Sequence, residues 1–406
     1  MSDKVRILFV DDQKEVLDGL RRMTRSMRSE WVAGFALGGE EALAMMAAET
    51  YDVLVTDMRM PGMDGAELLK RTAEAHPHMI RIVLSGQYDL ESYMQSGWPA
   101  HQFLSKPCES QKLKDTITHV ITMRELLDND VLRKLVTRAD HLPSMPKIYL
   151  EIEEELKSED ASIQKVGEII AGDIGLTVKV LQLVNSPFFG AVRKIKSPAQ
   201  AAVMLGADIL KSLVLYLQSC SDIKLPAGVS LDEISAHGVR VGNLAKAIAM
   251  MEGEDKKVCD EAFLAGLLQN VGSLVILSNF GEEYEQILAE SSHEDCLVWE
   301  VEKGVLGASH AEIGAYLLSL WGLPPSVAEA VAYHNEPSKC PNANSSFAVI
   351  AVHAANAMEK DSALGPAFIE NEFDFDYLEK RGLLDRLPRW QEKYQDLLGA
   401  INNGNK

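Results

Sequence analysis

The chain has 406 residues, sets 40 Lys and Arg against 60 Asp and Glu for a formal net charge of -20, and is 47% hydrophobic. That length is too great for one ordinary core and implies two domains or three, while the acidic balance opposes a phosphate backbone and sets nucleic acid aside as a partner. The 5 cysteines are widely spaced with no CxxC pair to hold zinc, and fit reduced thiols in a reducing, cytoplasmic compartment.

At the amino end, MSDKVRILFV runs directly into an apolar segment and lacks the long apolar stretch of a signal peptide. No later segment reaches the roughly 18 uninterrupted apolar residues of a membrane span, so no membrane is expected. Apolar runs at 5–10, 31–36, 52–56, 80–84 and 101–104 alternate with helical patterns. Runs that are apolar throughout read as strands buried on both faces, and the alternation predicts a doubly wound α/β domain with a five-stranded parallel sheet. Polar residues close these runs: Asp11 and Asp12 after VRILFV, Asp57 after YDVLVT, Ser85 after IRIVL, and Lys106 after QFLS. An open sheet gathers its ligand site just past the carboxyl ends of its strands, so these groups are expected in one crevice.

Taken alone, an Asp that ends a strand is ordinarily a turn residue or a helix cap. Three carboxylates in one crevice raise each other's proton affinity unless a hard divalent cation lies between them, and Mg²⁺ is the natural occupant. A carboxylate beside that ion can accept a phosphoryl group, with Lys106 and Ser85 as cation and hydroxyl donor to its oxygens. The segments LFVDDQ, VLVTDMRMPGMDG, IVLSGQ and FLSKP resemble the receiver domain of two-component response regulators over residues 1–125, a flavodoxin-like fold. The resemblance implies that Asp57 accepts a phosphoryl group from a histidine kinase or phosphotransfer protein. It implies Asp12 and Asp57 as Mg²⁺ ligands with the backbone carbonyl of Arg59, and Asp11 as a ligand through water. Lys106 would pair with the phosphoryl oxygens, Ser85 and Phe103 would rearrange on phosphorylation, and Arg59 and Gln87 would tune the lifetime of the acyl phosphate.

From near Glu109, Leu113, Ile117, Val120 and Ile121 begin a helical spacing that continues through Leu135, over residues 110–139. A helix of that length predicts a stiff connector that carries a rotation between domains, and the same stripe suits a homodimer seam. HLPSMP at 141–146 then opens a region, 140–360, of helix after helix, so an all-α domain is expected. Asp160 or Ser162 is placed to cap the helix that carries Ile163, Val166, Ile169 and Ile170.

His237, His310, His334 and His353 fall in this helical region, and taken singly each reads as a structural or surface histidine. The stretch from LEIEEELKSEDASIQKVG to NSPFFG, with AVMLGADILKSLVL, FLAGLLQNVGSLVI and SHAEIGAYLLSLWGLPPSVAEAVAYHNEP, resembles the HDOD domain, a relative of the HD-type metal-dependent phosphohydrolases. By that resemblance His237 stands at the first metal-ligand position, Gln269 and Asn270 replace the His-Asp pair, and Asn356 replaces the late Asp, with His310 and His334 remaining. Neutral amides leave a divalent ion without charge compensation and water without its activator, so neither a cofactor nor hydrolysis is expected here. His334 leads into NEPSKCPNANSS, unlike the HHExxDGxGYP stretch of cyclic-di-GMP phosphodiesterases, which argues against that activity.

Residues 361–406 are acidic and amphipathic, and read either as a helical extension packing on the bundle or as a partner-binding tail. The combined expectation is a phosphorylation-controlled regulator whose non-catalytic helical output acts on an unidentified protein target. The alternatives are a metal-dependent phosphohydrolase with atypical ligands and a degenerate HD sensor that binds a nucleotide.

Overall fold

The computed structural model describes residues 4–76, 79–85, 100–106, 146–158, 161–184, 195–219, 231–291, 297–341, 346–359 and 373–404, with helical positions among 111–118. Gln87, the connector beyond residue 118, Asp160 and the NSPFFG stretch lie outside the described residues. The chain forms two compact units, Met1–Ser144 with Ser319–Gly322 and Met145–Leu318 with Leu323–Lys406.

The first unit carries β1 (Val5–Val10), β2 (Trp31–Ala36), β3 (Val53–Asp57), β4 (Ile80–Ser85) and β5 (Gln102–Ser105), with α1 (Lys14–Thr24), α2 (Gly39–Ala48) and α3 (Gly65–Ala75) between them. The strands form one sheet in the order β2-β1-β3-β4-β5, and every pairing is parallel. Parallel neighbours need crossover helices, which cover both faces and demand apolar residues on both. Accordingly Ile7, Leu8, Phe9, Leu54, Ile80 and Ile82 are wholly buried. Phe9 stacks on Phe35 with centroids 5.5 Å apart, and the Arg21 guanidinium from α1 lies 4.7 Å over Phe35, closing the β2 edge. Because β1 sits between β2 and β3, the order of strand addition reverses there, and the carboxyl ends of β1 and β3 flank the resulting crevice.

In the second unit every described element is helical. It runs α4 (Lys147–Lys157), α5 (Ile163–Ala171), α6 (Ile174–Val184), α7 (Pro198–Leu205), α8 (Ala207–Ser219), α9 (Leu231–Met251), α10 (Lys256–Leu268) and α11 (Val271–Asn279). There follow α12 (Gly281–Ser291), α13 (Val298–Leu306), α14 (His310–Leu320), α15 (Pro325–Tyr333), α16 (Phe347–Met358), α17 (Phe375–Lys380) and α18 (Leu387–Gly404). Ser162 occupies the N-cap of α5, but its side chain makes no capping hydrogen bond. Gly206, at φ +84°, separates α7 from α8, a backbone conformation that glycine adopts without strain. Helices α9 and α10 approach closely at Gly242 and Gly266: a Cβ built on Gly242 would stand 2.8 Å from the Phe263 carbonyl oxygen. α16 is buried all round from Ala348 to Ala357, which is why its sequence shows no polar face.

Residues Lys256–Asn279, across α10 and α11, are long and apolar enough by composition to cross a membrane, with mean hydropathy 1.4, yet 89% of that window is buried inside the protein. Residues 373–404 pack on the bundle. Leu378 and Trp390 are wholly buried, and the Trp390 indole N–H donates to Glu252 Oε1 at 2.9 Å. Trp390→Ala is expected to cost about 3–5 kcal/mol, measured as a fall in the urea midpoint of the helical unit; an unchanged midpoint would mean that α18 does not anchor there.

Candidate functional site

Asp11, Asp12 and Asp57 meet at the carboxyl ends of β1 and β3, each offering an oxygen within 4.8 Å of the others. Lys106, just after β5, places its Nζ 2.7 Å from Asp57 Oδ1 and 3.0 Å from Asp11 Oδ2. Asp11 is 1% exposed, and its Oδ1 accepts the Gln13 N–H at 2.9 Å, so the same carboxylate anchors the start of α1. Past β3, the chain turns through Gly62 at φ +78° and re-enters a helix at Gly65, whose N–H donates to the Met58 carbonyl at 2.9 Å. A Cβ on Gly65 would lie 2.3 Å from the Asp57 carbonyl oxygen, so only glycine lets α3 start this close to the strand end.

Burial pushes the Asp57 carboxyl up from its ordinary range, and Asp11 adds to the rise; the hydrogen bond from Lys106 and one from the Met58 backbone oppose it without winning. Burial works against the Lys106 ammonium too, but Asp57 and Asp11 together outweigh it and hold its proton more tightly. Lys106 thus remains a cation among more negative charge than it can neutralise. Asp12 Oδ1 is buried and has no hydrogen-bond partner among the described residues. Three carboxylates with an open oxygen, at this spacing, fit a hard divalent cation with oxygen ligands.

Arg59 follows at an exposed position two residues beyond Asp57. Ser85 ends β4 opposite Ser105, and Phe103 in β5 pairs with Val83, so backbone register puts both on neighbouring strands; their side chains lie outside the described residues.

In the helical unit the amide positions also meet. Gln269 Nε2 lies 3.2 Å from His237 Nε2 and donates to Asn356 Oδ1 at 3.0 Å, tying the end of α10 to α9 and α16. Asn270 stands at the N-cap of α11 without capping it. Gln269 Oε1, Asn270 Oδ1 and Asn356 Nδ2 are buried without a partner among the described residues. One helical turn along, Arg240 and Glu359 form an ion pair.

His310 and His334 belong to a different cluster, their rings 5.5 Å apart. Glu302 Oε2 lies 2.6 Å from His310 Nδ1 and accepts the His310 backbone N–H at 2.7 Å, while Asn335 Nδ2 stands 3.4 Å from His310 Nε2. His334 Nδ1 is 2.7 Å from the Val331 carbonyl. His353 Nδ1 donates to the His334 carbonyl at 2.8 Å, and its Nε2 accepts the Asp374 N–H at 2.9 Å. Burial pushes the His353 imidazole down to about 4. Glu302, Asn335, Arg240 and Glu359 were not marked by any motif; a carboxylate eight residues before a histidine is not a helical neighbour, and only the turn between α13 and α14 joins them.

A parallel sheet with carboxylates and a lysine at its crevice, followed by a helical unit, defines a receiver-like α/β domain joined to an all-α domain. Residues 7–118 match the family described as Response regulator receiver domain, and residues 142–337 match the HDOD domain. The chain is therefore a response regulator receiver fused to an HDOD domain. An uncharacterized protein of Treponema pallidum (strain Nichols) is 24% identical over 230 residues, covering 56% of this chain and 44% of its own length. The uncharacterized transcriptional regulatory protein YesN of Bacillus subtilis (strain 168) is 31% identical over 143 residues, 34% of this chain and 37% of its own. This chain thus spans less than half of either relative. Among solved structures, an HDOD domain protein of unknown function from Geobacter sulfurreducens has 24% identity and a TM-score of 0.49, covering 68% of this chain and 98% of that one. A candidate phosphohydrolase from Shewanella amazonensis SB2B has 22% identity and a TM-score of 0.52 over 69% of this chain and 98% of its own, a likeness of fold.

Since the folded state holds the Asp57 proton more tightly than the unfolded chain, its ionised form weighs on stability at neutral pH, and that burden fades as pH falls through the folded pKa. Asp57→Asn is accordingly expected to raise the urea midpoint at pH 7, with the gain gone below about pH 4. His353 has the opposite sign of protonation: it stays neutral when folded while the unfolded chain takes up a proton, so stability is lost as pH falls from 6.5 towards 4. Between pH 7 and 5 that loss should be about 2 kcal/mol, and His353→Gln should flatten the dependence in parallel denaturation series.

Proposed function

We propose that this chain is a phosphorylation-controlled regulator in which Asp57 takes a phosphoryl group from a phosphohistidine of a histidine kinase or phosphotransfer protein, and the HDOD domain carries the output by binding a protein target. The observation that carries this reading is Asp57 Oδ1, 2.7 Å from Lys106 Nζ, beside Asp11 and Asp12. An Asp57 oxygen attacks phosphorus in line, the phosphorus–oxygen bond forms as the donor's phosphorus–nitrogen bond breaks, and the leaving imidazole keeps the electron pair and takes up a proton. Lys106 is poised to pair with the incoming oxygens. Mg²⁺, held by Asp12, Asp57 and the Arg59 carbonyl with Asp11 acting through water, would neutralise charge on those oxygens. The open Asp12 Oδ1 supports that assignment.

Ser85 and Phe103 form the readout in this proposal: the Ser85 hydroxyl donates to the new phosphoryl oxygen and Phe103 follows, altering the β4–β5 face. Their neighbouring positions in the strand register are consistent with such coupling. Output by binding rather than hydrolysis is supported by the hydrogen bond between the neutral side-chain amides of Gln269 and Asn356, where ligands for a catalytic metal would need charge. A cytoplasmic location goes with a kinase donor.

Incubation of the full chain with acetyl phosphate and Mg²⁺ is expected to add one phosphoryl group, mapped to Asp57 by borohydride reduction and peptide mass analysis. Chelation of the metal or Asp57→Asn should abolish it. Modification at another side chain, or labelling indifferent to the metal, would falsify the assignment.

A further inference from the structure

Arg59, whose backbone carbonyl is proposed to ligate Mg²⁺, stands in a loop that leaves β3 after Asp57 and enters α3 at Gly65. The two ends of that loop are tied to each other, since the Gly65 N–H donates to the Met58 carbonyl at 2.9 Å. Residues 59–64 thus project from a closed neck, and their orientation depends on what they touch beyond it. Met60 is buried in the core on one face of the sheet, and Met63 packs against the same core from a half-buried position. Between them Gly62, at φ +78°, turns the chain.

Met63 lies over the first residue of α2. A Cβ built on Gly39 would stand 2.7 Å from Met63 Cγ, 2.8 Å from its Sδ and 2.9 Å from its Cβ, all well inside the roughly 3.5–4.0 Å at which nonbonded carbons rest. The thioether can swing aside, but Met63 Cβ is fixed to the backbone, so a side chain at position 39 pushes the loop itself. Nor is Gly39 free to yield. It is buried, and the turn around it is held by the Leu37 N–H donating to Glu41 Oε2 at 2.7 Å and the Ala42 N–H donating to the Gly38 carbonyl at 3.1 Å.

Asp57 is placed independently of this contact. It ends β3 opposite Leu84 in the parallel ladder, and Lys106 Nζ holds its Oδ1 at 2.7 Å. Displacing Met63 therefore shifts the Arg59 carbonyl against carboxylates that stay in place. Mg²⁺ demands near-ideal octahedral geometry, and losing a group that orients one of its ligands costs about 10–100-fold in affinity.

We propose that the Gly39–Met63 contact positions the β3–α3 loop for metal binding, so that the start of α2 sets the affinity of the Asp57 site for Mg²⁺. Gly39 and Met63 are then positioning residues, acting through the Arg59 carbonyl and touching neither metal nor phosphoryl group. This role rests on the reading of Asp57 as a metal-assisted phosphoacceptor.

The probe is Mn²⁺, which suits the same octahedral oxygen ligands, titrated into the full chain and followed by loss of the free-ion electron paramagnetic resonance signal. The parent chain is expected to bind one ion at a site that Asp12→Asn removes. Gly39→Ala should weaken that site about tenfold at unchanged stoichiometry, whereas partial unfolding would lower the stoichiometry. Met63→Ala removes Cγ and Sδ from the path of the new methyl, so the double variant Gly39→Ala/Met63→Ala should recover most of the lost affinity. In labelling with acetyl phosphate, Gly39→Ala should raise the Mg²⁺ concentration for half-maximal rate by the same factor and leave the plateau at the parent level. Unchanged Mn²⁺ affinity in Gly39→Ala, a fall in stoichiometry or plateau in place of affinity, or no recovery in the double variant would overturn the positioning role and leave the phosphoacceptor reading intact. A parent chain that neither binds Mn²⁺ through Asp12 nor is labelled at Asp57 would overturn both.

Discussion

Lys106 faces Asp11 and Asp57 at hydrogen-bond distance, with Asp12 close by, and this imbalance of charge governs the first unit. A parallel sheet covered on both faces offers polar groups no outlet except its ends, so the carboxylates are forced together where β1 and β3 stop. One ammonium reaching in from beyond β5 binds the edge of the sheet to its centre. It does not cancel the charge, and Asp57 keeps a raised proton affinity despite the ion pair. A site under that strain responds to any species that adds or removes charge, because the Lys106 hydrogen bonds must then be redistributed.

The helical unit buries polar groups by a different rule. Around His237 the side chains are neutral amides that bond to one another, and a neutral amide avoids most of the desolvation cost that an ionised carboxylate would incur. One amide nitrogen of Gln269 serves both His237 and Asn356, so helices α9, α10 and α16 are joined through a single hub. Arg240 pairs with Glu359 one helical turn along, and in the separate cluster Glu302 accepts the His310 backbone N–H. The unit therefore combines a nearly all-apolar core with short polar ties at chosen helix crossings. His353 extends these ties to the segment entering α17, which makes residues beyond the family match part of the same packed body.

The receiver and HDOD matches establish what kinds of domain are joined here, and fold alone does not transmit function. In the first unit the chemistry stands on the carboxylates and Lys106. In the second it stands on what the polar clusters lack.

Much of the first unit was legible in the amino-acid order, because strands buried on both faces are apolar throughout and four of the five runs are followed by polar residues. Those positions together with the receiver resemblance marked Asp11, Asp12, Asp57 and Lys106, and topology only had to bring the strand ends together. In the helical unit, periodicity shows which face of a helix is buried but not which helix it meets. The amides at 269 and 356 could be suspected singly, yet the hydrogen bond between them, the Glu302–His310 contact and the His353 tie to Asp374 depend on how distant helices cross. Those crossings are decided by close packing, as at Gly242 and Gly266, where whole side-chain surfaces rather than any local pattern determine the neighbour.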